Sequence, residues 1–159
     1  MMLNLGSGNF PAGKPWINVD SQISCEPDVV ASVLDLPFKD NEATLIYCGH
    51  LLEHLSPSEV NAALIEIRRV LTPVGRLCIV GPDYDRAVAQ NQPSHVITGI
   101  RDGAQRWAGD AHLWLATEAN TLEYVRQVFP EAQPKFLRLI DRVWPCPFRD
   151  VEWQFCILA

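Results

Sequence analysis

A mixed α/β fold built on a mostly parallel sheet, with an antiparallel final strand, is predicted by three features of the chain. Short apolar runs rich in Val, Ile and Leu recur along it, bounded by Gly, Pro or Asp, as buried strands are. One strongly marked helical pattern lies between two of these runs, and a strand–helix–strand unit favours parallel pairing. The last two runs are separated mainly by "PCPFRD", too short for a crossover helix, so they are expected to pair antiparallel as a hairpin.

The elements follow in order. "MLNLG" reads as the first strand and runs straight into the turn Gly6-Ser7-Gly8. Seven residues separate Gly8 from Trp16, two of them proline, so no full helix fits before the second strand, "WINVD". "DVVASVL" and "ATLIYCG" read as the third and fourth strands. "SPSEVNAALIEIRRVLTPVG" then has Ser56 as N-cap, Pro57 in the first turn and Glu59 three residues after the cap, the parts of a capping box. Val60, Leu64, Ile67 and Leu71 recur at helical spacing as one packing stripe, and Pro73 and Gly75 are expected to stop the helix. "RLCIVGP" is the fifth strand. A second helix is expected over "TEANTLEYVRQVF", with Thr117 as cap and Leu122, Val125 and Phe129 facing inward. "FLRLIDRVW" and "VEWQFCILA" form the expected hairpin. No repeat, linker or low-complexity stretch divides the chain, so residues 1–159 read as one domain.

Composition excludes several classes. With 48% hydrophobic and 20% charged residues, the chain is of the ordinary globular kind. It has no apolar stretch of membrane-spanning length and no basic-then-apolar leader, so a cytoplasmic location and no membrane partner are the default expectations. Cys25, Cys48, Cys78, Cys146 and Cys156 are odd in number and scattered, without a C-x-x-C or ligand-like spacing to a histidine. They read as reduced thiols, and no metal is expected. The net charge of −6 is unevenly placed: residues 1–67 carry nine acids against Lys14 and Lys39. Phosphate binding needs clustered Lys and Arg, so nucleic acid is not the expected partner.

In open α/β sheets, ligands bind beyond the carboxyl ends of the strands. Those ends carry Gly6, Ser7 and Gly8; Asp20; the loop around Asp35; Gly49 and His50; and Asp83. Glycines let the backbone approach a ligand closely. An acid ending the second strand suits a ribose, because its oxygens can accept from both sugar hydroxyls in charge-assisted bonds.

"LNLGSG", "WINVD", "DLPFKDNEATLIYCGHLLEHL" and "RRVLTPVGRLCIVGPDYD", in that order, resemble the class I S-adenosylmethionine-dependent methyltransferases, in particular small members that start at the glycine turn. The resemblance is close over residues 3 to about 86 and looser beyond, and its specific part is L-P-F, an acidic turn, a strand and H-x-x-E-H-L. It implies a Rossmann-like three-layer sandwich with a seven-stranded, or reduced, sheet, and S-adenosylmethionine as cofactor. Asn4, Gly6, Ser7 and Gly8 would then surround the methionine end of the cofactor. By the same resemblance Asp20 holds the ribose, Val33 and Leu34 edge the adenine, and Gly49 and His50 form the floor beside the transferable methyl. The chain departs from the family pattern at Asn4, where an acid is frequent, and at Phe10, where a third glycine is usual. It departs again at Ser32, where an adenine-binding aspartate is common, and at Val74, a frequent glycine. A third glycine serves the packing of a helix that this chain has no room for, so weaker cofactor affinity is expected.

Methyl transfer requires chiefly that the acceptor be held in line with the sulfonium, with a base where a proton must leave. His50, Asp83 and His112 are the candidate catalytic residues, with Tyr84 a candidate for the acceptor pocket. His54 reads more simply as packing at the start of the capped helix, and Asp83 equally as a turn residue. Two other functions stay open: a catalytically inactive binding or assembly module of the same fold, and a nicotinamide-dependent oxidoreductase, which the missing third glycine disfavours. The acceptor is an unidentified small molecule, sugar, lipid or protein. With no N-terminal cap over the site, its pocket is expected to be shallow or completed by a second copy in a homodimer.

Overall fold

One seven-stranded sheet organises the computed structural model, which describes residues 1–103, 110–135, 142–147 and 151–159. Its strands are β1 (Met2–Leu5), β2 (Trp16–Asp20), β3 (Val29–Val30), β4 (Ala43–Gly49), β5 (Leu71–Pro82), β6 (Gln133–Lys135) and β7 (Gln154–Leu158), in the order β3-β2-β1-β4-β5-β7-β6. From β1 to β5 all pairings are parallel, while β7 runs antiparallel to both β5 and β6. The expected mostly parallel sheet with an antiparallel last strand is therefore present. The partner of β7 on its outer side is the short β6; most of the expected strand "FLRLIDRVW" (136–141) lies outside the described residues, and Arg142–Trp144 form a turn and bend. The third strand shrinks to two residues. Strand order reverses at β1, which has β2 on one side and β4 on the other, and this is where a ligand crevice opens in such sheets.

The helices are α1 (Pro57–Val70), α2 (Tyr84–Ala89), α3 (Ser94–Asp102) and α4 (Glu118–Val128). The capping box of α1 forms as expected: Ser56 Oγ accepts from the Glu59 backbone N–H, and Glu59 Oε2 accepts from the Ser56 N–H at 2.8 Å. Its stripe of Val60, Ala63, Leu64, Ile67 and Val70 is fully buried. The helix ends at Val70, earlier than Pro73 and Gly75 suggest. Leu71 is already extended and begins β5. No glycine cap is needed, because Asn41 N donates to Arg69 O and Glu42 N to Val70 O, satisfying carbonyls that a helix end leaves unpaired. The proline and glycine instead fall where the β4–β5 register shifts, between the pairs Ala43–Leu71 and Leu45–Arg76, an irregularity that tolerates both residues. Thr117 caps α4 as expected, in a second capping box with Asn120.

Strand alternation sorts the core into two faces. Ile46 and Cys48 of β4, Leu77 and Ile79 of β5, and Phe155 and Ile157 of β7 pack on one side, with α1 and α4. Tyr47, Cys78, Val80 and Cys156 point to the other, where Trp16, Trp144 and Cys146 cover them. All five cysteines are free thiols.

Two polar clamps fix the segments that carry no helix. Between β1 and β2 the expected absence of a helix holds, and Asn18 braces the connection. Its Oδ1 accepts from Ala12 N at 2.7 Å and from Asn4 Nδ2 at 2.9 Å, while its Nδ2 donates to Ala12 O and Asp28 Oδ2. After β3, Arg69 donates to the carbonyls of Leu36 and Phe38, and Glu66 Oε1 accepts from Leu36 N at 2.8 Å, tying the L-P-F loop to α1. Among the described residues no helix is long and apolar enough to cross a membrane.

Candidate functional site

At the carboxyl end of β1 the chain turns sharply. Gly6 has φ +65°, and a Cβ there would sit 3.0 Å from the Leu51 side chain, so both the backbone conformation and the space call for glycine. The Gly6 N–H donates to Val19 O at 2.8 Å, and the Gly8 N–H donates to Asp20 Oδ2 at 2.8 Å. Asp20 Oδ1 accepts from Gln22 N at 2.8 Å. The acid ending β2 thus closes the glycine turn, and each of its oxygens keeps a second lone pair.

Above this joint lies a cavity of about 700 Å³. It brings together most of the residues singled out from sequence: Asn4, Gly6, Ser7, Gly8 and Asp20 on the β1–β2 side, Gly49 and His50 after β4, and His112 from the connection before α4. A recess of about 90 Å³ next to Asp20 is lined by Val33, Ser32 and Ala31. Leu34 lines neither space. Its N–H donates to Ser32 Oγ and its side chain is exposed.

Asp83 is placed differently from a site residue. It does not line the cavity; it is the buried N-cap of α2, with Oδ1 accepting from Arg86 N at 3.1 Å and Oδ2 facing Glu118 N at 3.4 Å. Arg86 completes this knot by donating to Gln154 O and Glu118 Oε2. The carboxylate is committed to two helix starts, which corrects its candidacy as a catalytic group. Tyr84, the next residue, likewise lies outside the cavity lining.

The expectation of a shallow, uncapped pocket also changes. Val96, Gly99 and Ile100 of α3 form a wall, so the connection between β5 and α4 covers the site from the middle of the chain. Sequence reading missed α2 and α3. Gly103 ends α3 at φ +75° and bridges to Ala111; a Cβ there would run into the Asp110 carbonyl. From that bridge, the connection is stitched to the 3-10 turn Leu52–His54: Leu113 N donates to Glu53 O at 2.8 Å, Trp114 Nε1 to Leu52 O at 3.0 Å, and His54 Nδ1 to Ala111 O at 3.2 Å.

Those bonds gather a cluster that sequence reading did not assemble. Glu53 is 1% exposed, yet it lines the cavity, with Oε1 3.2 Å from His50 Nδ1. Burial alone would raise its carboxyl; the adjacent His50, then His54 and His112, outweigh that and hold it below the usual carboxylate range. The rings of His54 and His112 meet edge to face at 4.8 Å, and His112 Nδ1 donates to Ile100 O at 2.7 Å. The expectation of no metal rested on the cysteines. It did not weigh Glu53, His54 and His112, which each offer one ligand atom within 4.8 Å of the others.

Two further polar atoms mark the cavity as a binding space. Ser7 Oγ and Gln154 Oε1 are buried in its lining with no hydrogen-bond partner among the described residues, and such groups are costly unless a ligand or water meets them.

Comparison with known proteins agrees with this geometry. Residues 14–79 match the model of a methyltransferase domain family. An uncharacterised protein of Methanocaldococcus jannaschii is 38% identical over 65 residues, 41% of this chain; the aligned part is 28% of that protein's length. A SAM-dependent methyltransferase from Archaeoglobus fulgidus superposes with a TM-score of 0.66 at 12% identity, covering 99% of this chain and 84% of that one. A possible histamine N-methyltransferase from Thermotoga maritima gives 0.63 at 15% identity, covering 98% and 79%. The fold is that of the S-adenosylmethionine-dependent methyltransferases, as the sequence resemblance implies.

Proposed function

We propose that this chain, which has a methyltransferase fold and a methyltransferase-domain match over residues 14–79, is an S-adenosylmethionine-dependent methyltransferase acting on a small acceptor. The observation that carries the reading is the joint between Gly8 and Asp20 beneath the cavity. Asp20 can accept from ribose hydroxyls through its remaining lone pairs, and the glycine turn brings the main chain close to the cavity. Ser7 Oγ offers an unused hydroxyl in the same wall. Val33, in the recess beside Asp20, is the residue to edge the adenine; Leu34 is not assigned that contact.

S-adenosylmethionine, when bound, supplies a sulfonium methyl. The chain's part is to exclude water and to hold the acceptor in line. Gly49 and His50, at the end of β4, form the floor, and α3 forms the opposite wall. The Glu53 carboxylate facing His50 Nδ1 favours a proton on that nitrogen, leaving Nε2 to receive one from the acceptor. Val96 and Ile100 suit an acceptor with an apolar body.

Isothermal titration with S-adenosylmethionine and with its demethylated product tests the reading directly. Micromolar to millimolar binding is expected, and no heat at millimolar concentration overturns it. Binding without methyl transfer to any member of a broad acceptor panel would leave a binding module instead.

A further inference from the structure

We propose that Glu53, His54 and His112 form a binding site for a divalent transition-metal ion, with an open coordination position turned toward the cavity. The three residues come from one 3-10 turn and from a connection 58 positions further on, and their ligand atoms lie within 4.8 Å of one another. Bonds of about 2.0–2.2 Å to one tetrahedral ion place its ligand atoms roughly 3.3–3.5 Å apart, so binding would draw these side chains together by about an ångström.

The hydrogen bonds around the rings fix which atoms are offered. His54 Nδ1 faces Ala111 O, and His112 Nδ1 faces Ile100 O. A carbonyl oxygen can only accept, so each Nδ1 carries the proton and each Nε2 keeps its lone pair. Metal-bound histidines are held in the same way: the second ring nitrogen donates to a carbonyl or carboxylate, which sets tautomer and ring direction. Glu53 supplies the anionic ligand. It is 1% exposed and lines the cavity. A divalent ion compensates a carboxylate buried in this way. His50 then stands behind Glu53 as its orienting neighbour, 3.2 Å from Oε1.

Donor chemistry selects the ion. Two imidazoles and one carboxylate suit Zn²⁺, Co²⁺ or Fe²⁺; Mg²⁺ and Ca²⁺ favour all-oxygen shells. Three protein ligands leave at least one position open, the pattern of catalytic rather than structural sites. All three residues line the cavity, so the open position would receive an oxygen of the acceptor and lower its pKa. This last consequence rests on the methyltransferase reading; ion binding itself does not.

The test uses the full chain, stripped with EDTA, dialysed, and titrated with Co²⁺ while its visible d–d absorption is followed. One Co²⁺ per chain is expected, with no thiolate-to-metal charge-transfer band. His54→Ala and His112→Ala are expected to weaken binding at least about tenfold, and the exposed His95→Ala to leave it intact. Should those variants unfold, wild-type protein serves instead: Co²⁺ should shift or broaden the ring N–H proton signals of His54 and His112. Lack of saturable binding below millimolar Co²⁺ overturns the proposal. So does binding that survives both histidine variants, or a charge-transfer band that disappears in Cys25→Ser. Titrating S-adenosylmethionine in the presence of EDTA separates the two readings, because a chain that binds Co²⁺ but no S-adenosylmethionine loses only the methyltransferase assignment.

Discussion

Asn4 Nδ2 donates to Asn18 Oδ1 at 2.9 Å, and the direction of that bond is dictated from outside the pair. Ala12 presents its N–H to Asn18 Oδ1 and its carbonyl to Asn18 Nδ2, so the Asn18 amide cannot be turned round without setting donor against donor. Position 4 must therefore donate, which an asparagine can do and an aspartate carboxylate cannot. This accounts physically for the departure from the acid frequent at that position in the resembling family.

Asn4→Asp is accordingly expected to destabilise. Both residues are buried, and the replacement sets a carboxylate against a carbonyl oxygen. A loss of about 1–3 kcal/mol is expected, a fall in Tm of roughly 2–10 °C, read by thermal denaturation followed by circular dichroism. An unchanged Tm would show that the bond carries no net stability.

The Glu66–Arg69 clamp gives a pH dependence. Its bonds to Arg69, and then to Leu36 N, hold the Glu66 carboxyl below its ordinary value of 4.5 against the opposing effect of burial. A carboxylate lowered on folding contributes stability that is complete above its unfolded pKa and is lost as pH falls through the folded one. Glu66→Gln should thus cost about 1.5–3 kcal/mol at neutral pH. The gap in Tm between variant and wild type should close as pH drops below about 4. A gap independent of pH would contradict this origin.

Asp20→Asn leaves one oxygen where two are used, by Gly8 N and Gln22 N. It also removes the charge offered to a ribose. Titration with the demethylated cofactor is expected to show affinity lower by about tenfold to a hundredfold, with the fold retained by circular dichroism. Equal affinity would remove Asp20 from the site.

A substitution at Gly99 tests whether the α3 wall is the acceptor side of the proposed site. Gly99 sits within α3 and lines the cavity, and a Cβ there would meet nothing within 4 Å. Gly99→Leu should raise stability by about 0.5–1 kcal/mol through helix propensity. It should also fill part of the acceptor space and leave affinity for the demethylated cofactor unchanged. A parallel loss of cofactor affinity would mean that the two ligands share that wall.

What could be read from the chain was local. Ser56 and Glu59 announce α1 because capping is chemistry between neighbours. Gly8 and Asp20 lie twelve residues apart and meet because adjacent parallel strands bring their ends together. Asp83 carried the opposite lesson. At a strand end it looks like a site residue, yet the same position is the N-cap of α2, a helix hidden because the Gln90–Pro93 stretch breaks its periodicity before α3. H-x-x-E-H-L carries the family resemblance, but nothing in that spacing indicates that Glu53 is buried. Its burial depends on the connection carrying His112 folding back over it, a tertiary event with no signature in either segment.

The stitching of that connection bears on which side chains of the cavity wall can change over generations. Leu113 N and Trp114 Nε1 both end on main-chain carbonyls, those of Glu53 and Leu52. A backbone acceptor is indifferent to the side chain that bears it, so these two bonds constrain the donor Trp114 more than the residues at positions 52 and 53. The β1–β2 edge, held by the side chains of Asp20 and Asn18, has no such latitude. The two walls of the cavity are thus held by different chemistry, main-chain acceptors on one side and side-chain acceptors on the other.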